Sequence, residues 1–586
     1  MHKILAILIV AFISCSSVGF THSINLSERS ASLEKQIKIH FPFPEVTTSS
    51  YSKVSIEGYD FSFLPGFPVL PYKTKVITFP FGTKIKDIEV KTGEIITRQL
   101  NKKIQPAPKP VTLNMENVEA KIKEGSIYQS NEAYPSDWIS YNIGAGIENG
   151  KHVIFLSIHA FPCRYIPAKN ELLCVDKMKI KVNYEPPEKM LIQNDVYDLL
   201  IIAPSEFSDA LQPLVEHKES HGVKTKLVTL NEIYNGAYFA TQGRDDAEKV
   251  KYFIKNAIEQ WGIKYVLLVG GEKKLPVRYA YVIDHIGPYT EGGYISDLYY
   301  VDIYDANGNF SSWDTNNNGY YGEYNREGMY DTVDLYPDAY IGRLACRNVA
   351  EVRIMVKKII EYESASSKNW FKRLILCGGD TDPFDHENIN EGEYTNERVA
   401  ENMSDFDPIR LWVSNNQLSS LSIWKEIMKG AGFIDFSGHG SPNSWATHPH
   451  NDTKTWIGCD IFDIPFYFNG NKLPVIFANA CHTAQFNLTY ECFGWHFTRK
   501  IGGGSIAFIG ATGLGYGYSG RASASSLSGY LEIKFFAGYR KNVHLGEMFF
   551  DAIISYLNNV PMDDWQDYKS VEEYLILGDP SLIVGF

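Results

Sequence analysis

From about Ile37 to Tyr184, apolar and polar residues alternate in short runs, as in "YSKVSIEGYDFSFL", "TKVITFPFG", "KHVIFLSIHAFPCRYI" and "KMKIKVNYEPP". Period-two alternation, β-branched content and Gly or Pro punctuation predict an antiparallel β domain, and stretches of helical period are nearly absent there. The segment "NYEPPEKMLIQND" reads as a linker, because two prolines and mixed polar residues separate unlike patterns.

Beyond it the pattern changes to apolar runs alternating with helix-period stretches. "YDLLIIAP" precedes "SEFSDALQPLVEHKESHG", and "KYVLLVGG" follows "DAEKVKYFIKNAIEQWG". "RLILCGG", "GFIDFSGHG", "LPVIFANAC" and "GSIAFIGATG" continue the series. Near-continuous apolar strands are those covered on both faces of a parallel sheet, so this part is expected to be α/β, a mostly parallel sheet flanked by helices. Chemistry in open sheets of this kind gathers beyond the carboxyl ends of the strands. His439 in "SGHG" and Cys481 in "NAC" both fall just past such an end.

A length of 586 residues predicts two to four domains. With 44% hydrophobic and 14% aromatic residues, wholesale disorder is excluded. A formal charge of -13 argues against a nucleic-acid partner, which needs clustered Lys and Arg to displace counterions. The opening "MHKILAILIVAFISCSSVGF" places Lys3 before an apolar run from Ile4 to Ile13 and small residues at Ser16, Ser17 and Gly19, the layout of a signal peptide. That run is too short to span a bilayer and no later stretch approaches membrane length, so a secreted or extracellular chain is expected. Cys15 is a candidate lipid attachment point that would tether it to a surface. The expected division is 1–19 signal peptide, 20–190 β-rich domain with linker, 191–345 first α/β part and 346–586 second α/β part with the His and Cys. None of the eight cysteines forms a CxxC pair, which speaks against a zinc knuckle; Cys163 and Cys174 are placed to staple one hairpin.

An imidazole near a thiol can take its proton or hold the thiolate as an ion pair. Attack on a carbonyl then builds charge on oxygen, which backbone N–H groups in a glycine-permitted loop can stabilise. Gly438 and Gly440, on either side of His439, let a substrate backbone come close and permit unusual backbone angles. Singly, a strand-end cysteine or a "GHG" is most often structural. Together, in the order His then Cys, they point to a catalytic pair.

"SGHGSPNSW" and "LPVIFANAC", with "YPDAYIGRLACRNVAEV", "GSIAFIGATG" and "LGDPSLIV", resemble the gingipain family of cysteine peptidases over about Tyr197 to Phe586. The resemblance implies a caspase-like α/β fold and a cysteine endopeptidase with no cofactor for catalysis. It makes Cys481 the nucleophile, His439 the base or acid, and the amides of Gly440 and Cys481 the oxyanion hole. It makes the N-terminal β domain a prodomain, a partner of the catalytic part that is cut away in the linker near Pro186–Asp195; "GFPVLPYKTKVITFPFG" is its most similar stretch. The other partners are protein or peptide substrates. In "GGDTDPFDHENINEGEYTNERV" the match to the acid of the basic first pocket is not clean. Gly392 falls near its position, so Glu393 beside it is the candidate pocket anion for cleavage after basic residues, and Asp380 is the candidate orienter of His439. Trp445, which closes "SGHGSPNSW", is placed among the substrate-binding residues. The sequence ends after "LGDPSLIV", so no appended immunoglobulin-like or sorting domain is expected. An acyl-enzyme intercepted by an amine instead of water would make the chain a ligase.

"WDTNNNGYYGEYN" sets Asp314, Asn316 and Asn318 at alternate positions before Gly319, with Glu323 further on, like the start of a calcium loop; Asp305 in "VDIYDANGN" is a further ligand candidate. Asn325 rather than Glu at the twelfth place breaks the full EF-hand spacing, so a structural Ca2+ is expected here rather than a sensor. Two rival functions remain open. "THPHND", with His448, His450 and Asp452, would suit a metal-dependent hydrolase, although no HExxH supports it. The aromatic-rich "GPYTEGGYISDLYYVDIYD" would suit a non-catalytic surface-binding protein.

Overall fold

Apolar runs that read as doubly covered strands assemble into one ten-stranded sheet. Its strands are β1 (Leu199–Ala203), β2 (Thr225–Thr229), β3 (Tyr265–Val269), β4 (Tyr340–Leu344), β5 (Arg373–Gly378), β6 (Asp407–Trp412), β7 (Phe433–Ser437), β8 (Val475–Asn479), β9 (Ala507–Ala511) and β10 (Tyr574–Leu577). Their order is β2-β1-β3-β4-β10-β9-β8-β7-β5-β6. This computed structural model describes residues 33–584 except 116–121, 188–194, 283, 287–288, 325, 327, 366–368 and 386. The expected signal peptide, Cys15 and most of the linker therefore lie outside the described residues.

Neighbouring strands are parallel everywhere except at β9 and β10, which pair antiparallel. The five strands on one side of that seam consequently run opposite to the five on the other. β10, from the end of the chain, pairs with β4 through Arg343 and Leu577, so the sheet continues unbroken across position 345. Helices supply the covers. Asp246–Trp261 buries Val250, Phe253, Ile254, Ala257 and Ile258 along one stripe at helical spacing. The Asp245 side chain accepts the Glu248 N–H at its start, and Gly262, at φ +77°, lets the chain leave at its end. Asn348 caps Val349–Glu363 in the same way, accepting from Glu351 N–H.

The N-terminal region is antiparallel β, as the alternation predicts. Leu33–His40, Lys177–Glu185 and Lys84–Thr92 form one sheet, and Asp60–Phe61, Pro71–Pro80, Lys151–Ala160 and Ile139–Glu148 another. In Lys177–Glu185 the residues Met178, Ile180 and Val182 are buried while Lys177 and Lys179 face water. Cys163 stands directly opposite Cys174 in a third small sheet. Tyr72 and Asn142 of this region reach the backbone carbonyls of Asn559 and Pro561, so it is docked on the α/β part.

β7 and β8 are adjacent and parallel, with Phe436 opposite Ala478 and Ser437 opposite Asn479. Both chains therefore leave the sheet at the same rim, where Gly438 N–H donates to Asn479 O at 3.1 Å. That register brings His439 and Cys481 together from distant parts of the sequence.

Candidate active site

The turn after β7 needs its glycines. A Cβ on Gly440 would lie 2.4 Å from Cys481 O, and one on Gly438 would lie 2.9 Å from Ala446 O. The absence of both side chains lets the His439 turn press against the Cys481 turn, so that the N–H groups of Gly440 and Cys481 point at a common place.

That place is occupied by the chain itself. A segment of the N-terminal region, Val111–Met115, runs across the rim, with Val111–Thr112 pairing antiparallel with Tyr516–Gly517. Leu113 N–H donates to Gly515 O at 2.9 Å, and Leu113 O accepts from Gly440 N–H at 2.9 Å and from Cys481 N–H at 3.2 Å. Two amides on one carbonyl oxygen beside a thiol are the arrangement that would hold an oxyanion. Asn114, the next residue, bridges to Gly440. Leu113 thus stands where the acyl residue of a substrate would stand, and Asn114 where the leaving amine would. Sequence reasoning had no signal for this segment, since "PVTLN" carries neither an unusual residue nor a periodic pattern.

Cys481 is fully buried. Its Sγ accepts from Gly515 N–H at 3.1 Å and faces Gly515 O at 3.4 Å. Burial first, and then the negative charge of Glu573, push its thiol pKa well up, so in this covered state it is a neutral thiol. His439 is equally buried. Its Nε2 meets Thr381 O at 2.8 Å and its Nδ1 meets Asn114 O at 2.5 Å. Burial pulls its pKa down to about 4, against the opposite pull of the two carbonyls, so the ring is neutral and can donate to only one of them.

The expected orienter is displaced by one residue. Asp380 does not bond His439: its carboxylate accepts Asn451 N–H at 2.7 Å and lies 3.7 Å from His450. The backbone carbonyl of Thr381 takes the orienting role instead. A backbone oxygen carries no signature in sequence, whereas an acid does, which is why the acid stood out. Burial pushes the Asp380 pKa up to about 6.

Two substrate-binding expectations are also corrected. Glu393 lies on the helix Glu391–Asn402, and its carboxylate is taken up by the turn after β6, where it accepts from Ser414 N–H at 2.9 Å and Ser414 Oγ at 2.6 Å. Gly392 is a packing residue, since a Cβ there would lie 2.5 Å from Ser437 O. Trp445 is fully buried against Phe436, with ring centroids 4.8 Å apart, and belongs to the core under β7. His482 adopts φ +56° and its Nδ1 lies 3.9 Å from Glu291.

The metal candidates divide. His448 Nδ1 bonds Thr455 O at 2.8 Å and its ring packs on Trp456, while His450 Nδ1 bonds Asn390 Oδ1 at 2.7 Å. They do not converge, and among the described residues no group of three or more His, Cys, Asp or Glu is placed to hold a metal ion. In the "WDTNNNG" loop, however, Asp314 Oδ1 and Asn316 Oδ1 both accept Asn318 N–H, and the Asn316 and Asn318 amides both meet Glu323 Oε2 at 2.9 and 2.6 Å. Arg244 reaches Asp314 Oδ2 at 2.7 Å and Arg326 reaches Glu323 Oε1 at 3.3 Å, so guanidinium charge already balances the two carboxylates. Asp305 stands apart, accepting the N–H groups of Asn307 and Asn309 within its own turn.

Comparison with known proteins adds an independent line. The sequence model of the family described as Peptidase family C25 matches residues 192–584, and that described as Propeptide_C25 matches residues 35–202. Gingipain R2 of Porphyromonas gingivalis (strain ATCC BAA-308 / W83) is 22% identical over 408 residues, covering 66% of this chain and 46% of that protein. Lys-gingipain HG66 of Porphyromonas gingivalis is 22% identical over 531 residues, covering 82% of this chain and 27% of that protein. The chain spans less than half the length of these two curated relatives. A solved complex of Porphyromonas gingivalis RgpB pro- and mature domains is 19% identical with a TM-score of 0.47, covering 66% of this chain and 79% of that one.

Proposed function

Because the chain belongs to peptidase family C25, we propose that it is an exported cysteine endopeptidase made as a proenzyme, cutting peptide bonds through a Cys481 acyl-enzyme. The observation that carries this reading is the Leu113 carbonyl on the paired N–H groups of Gly440 and Cys481. A substrate carbonyl in that place is polarised where charge develops, beside the thiol of the residue whose N–H it accepts. Thr381 O holds Nε2–H of His439, which leaves Nδ1, on the leaving-group side, to move the proton.

The steps follow from these positions. Nδ1 takes the Sγ proton, the sulfur attacks the carbonyl carbon, and the two amides hold the oxyanion. Collapse breaks the C–N bond as the imidazolium protonates the leaving amine, giving a thioester on Cys481. Water deprotonated by Nδ1 then releases the acid and the thiol. In the proenzyme, Val111–Met115 fills the cleft and keeps substrate out. The signal-like N-terminus supports export.

Replacement of Cys481 by Ala, assayed with fluorogenic peptides after removal of the N-terminal region, tests the reading: all turnover should vanish. Turnover that survives in Cys481→Ala and is abolished by a chelator would transfer the chemistry to the His448 and His450 loop. We further propose a structural calcium ion at Asp314, Asn316, Asn318 and Glu323, supported by the convergence of these side chains. Its charge would compete with Arg244 and Arg326.

A further inference from the structure

We infer that the first specificity pocket of this site accepts an apolar P1 side chain, leucine foremost, rather than Arg or Lys. This rests on the peptidase reading above and names its substrate class. P1 denotes the residue whose carbonyl sits on the two amides, and in this chain that residue is Leu113. Its register is fixed on both sides: the N–H on Gly515 O and the antiparallel pairing of Val111–Thr112 with Tyr516–Gly517 determine which way the side chain points.

The Leu113 side chain is buried in a cluster with Leu514, Tyr516, Tyr518 and Leu527. Gly517 forms one wall, where a Cβ would stand 3.3 Å from Leu113 Cδ2. All five surrounding residues belong to the α/β part and remain when the N-terminal region leaves, whereas Phe63, which packs against the cluster, departs with that region. Tyr518 spends its hydroxyl on Phe63 O at 2.6 Å, and Tyr516 sets its ring edge to face against Trp565 at 5.1 Å.

The charges nearby are mixed: Glu573 lies beside Gly513 and Gly515, Glu291 lies beside Gly513, and Lys569 stands on the far side of Tyr516. The Lys569 ammonium lies behind the aromatic wall, 5.4 Å from the Tyr516 ring centre, and is paired with Glu291. Of the acids in the stretch expected to supply a pocket anion, Glu393 bonds Ser414. Glu391 is fastened by the N–H groups of Thr381, Asp382 and Gly520, at 3.1, 3.1 and 2.9 Å. Burial moreover drives Glu391 up to about 8. A guanidinium or ammonium would meet the hydrocarbon and aromatic lining of Leu514, Tyr516, Tyr518 and Leu527, against which each buried methylene of an aliphatic side chain is favourable.

The test uses a panel of fluorogenic peptides, identical except for Leu, Phe, Arg, Lys or Asp at P1, with matched acyloxymethyl ketone probes that label the active thiol. Expected is a kcat/KM for Leu at least tenfold above those for Arg and Lys. A second measurement uses the full chain: Leu113→Arg should loosen the covering segment and raise the rate of Cys481 alkylation by iodoacetamide severalfold. Preference for Arg or Lys, or slower alkylation in Leu113→Arg, would overturn the apolar pocket while leaving the peptidase standing, and would direct attention to Glu573, the carboxylate beside Gly515. Absence of both turnover and Cys481 labelling with every P1 residue would overturn the peptidase reading and the pocket with it.

Discussion

Gly440→Ala is the sharpest single perturbation of the proposed chemistry. The added methyl would stand 2.4 Å from Cys481 O, 2.9 Å from Ala480 Cβ and 2.9 Å from Thr483 Cγ2. Two of these neighbours are backbone or Cβ atoms that cannot swing aside, so the His439 and Cys481 turns must part by about 1 Å to reach ordinary contact. Gly440 N–H now lies 2.9 Å from the carbonyl oxygen it holds and Cys481 N–H lies 3.2 Å away; such a displacement takes one of them out of hydrogen-bond range. Loss of one oxyanion donor costs about 10²–10³ in kcat, or about 3–4 kcal/mol of transition-state stabilisation. Overpacking adds about 1–3 kcal/mol of lost folding stability. The assay is kcat and KM on a P1-Leu peptide, with thiol titration to count intact sites and a thermal melt to establish folding. Expected is a fall of about 10² or more in kcat, with full thiol titre. A variant with unchanged melting temperature and kcat within threefold of wild type would refute the placement of Gly440 N–H in the oxyanion site.

Asp380→Asn should reduce kcat less than tenfold, because Thr381 O and not the carboxylate holds His439; a loss above 10³ at unchanged stability would restore Asp380 as the orienter. His159, buried where the N-terminal sheet meets the helix Leu545–Asn559, has its pKa pulled down to about 4 by burial. The folded value lies below the unfolded one near 6.5, so its contribution is full above pH 6.5 and is lost as pH falls toward 4. Between pH 8 and pH 5 wild type should therefore lose about 2 kcal/mol more stability than His159→Gln, measured by denaturant unfolding; parallel pH profiles would show the ring to be solvated. Chelation of calcium should lower the melting temperature by a few degrees, and less in Asp314→Asn; an unchanged melt would mean that Arg244 and Arg326 alone close the loop.

What the sequence made legible is what hydrophobic pattern governs. Continuous apolar runs located the covered strands, alternation located the antiparallel region, and strand ends located His439 and Cys481, because each follows from burial of one or two faces. The seam at β9 and β10, which joins the halves into one sheet, was not legible, since pairing direction is decided by how distant strands meet. Site residues failed where the working group is backbone. Thr381 O orients His439, and the N–H and C=O of Gly515 hold the sulfur and Leu113, yet any residue type would carry those atoms. Glu393 and Trp445 were read as functional from their places in the gingipain-like motifs, and burial and local partners gave each a structural role that pattern alone cannot display.

The covered site poses a physical question of its own, for a segment with Leu113 in a substrate's place can keep the cleft covered only if its own bond to Asn114 is cut slowly. Position alone is not the barrier, since both oxyanion amides are already on its carbonyl. The barrier is in the proton. The sulfur's hydrogen bonds go to Gly515, and both ring nitrogens of His439 are turned to carbonyls, so neither group has the other as partner. Burial acts in the same direction on both, holding the thiol protonated and the imidazole neutral, which disfavours the ion pair that attack requires. Once the segment leaves, Nδ1 loses Asn114 O and both side chains meet water, so the thiol pKa falls as that of the ring rises. Alkylation of Cys481 followed against pH should therefore show a reactive thiolate at neutral pH in the uncovered protein and only a slow reaction, rising toward alkaline pH, in the full chain; equal profiles would mean that the segment shuts the cleft by bulk alone.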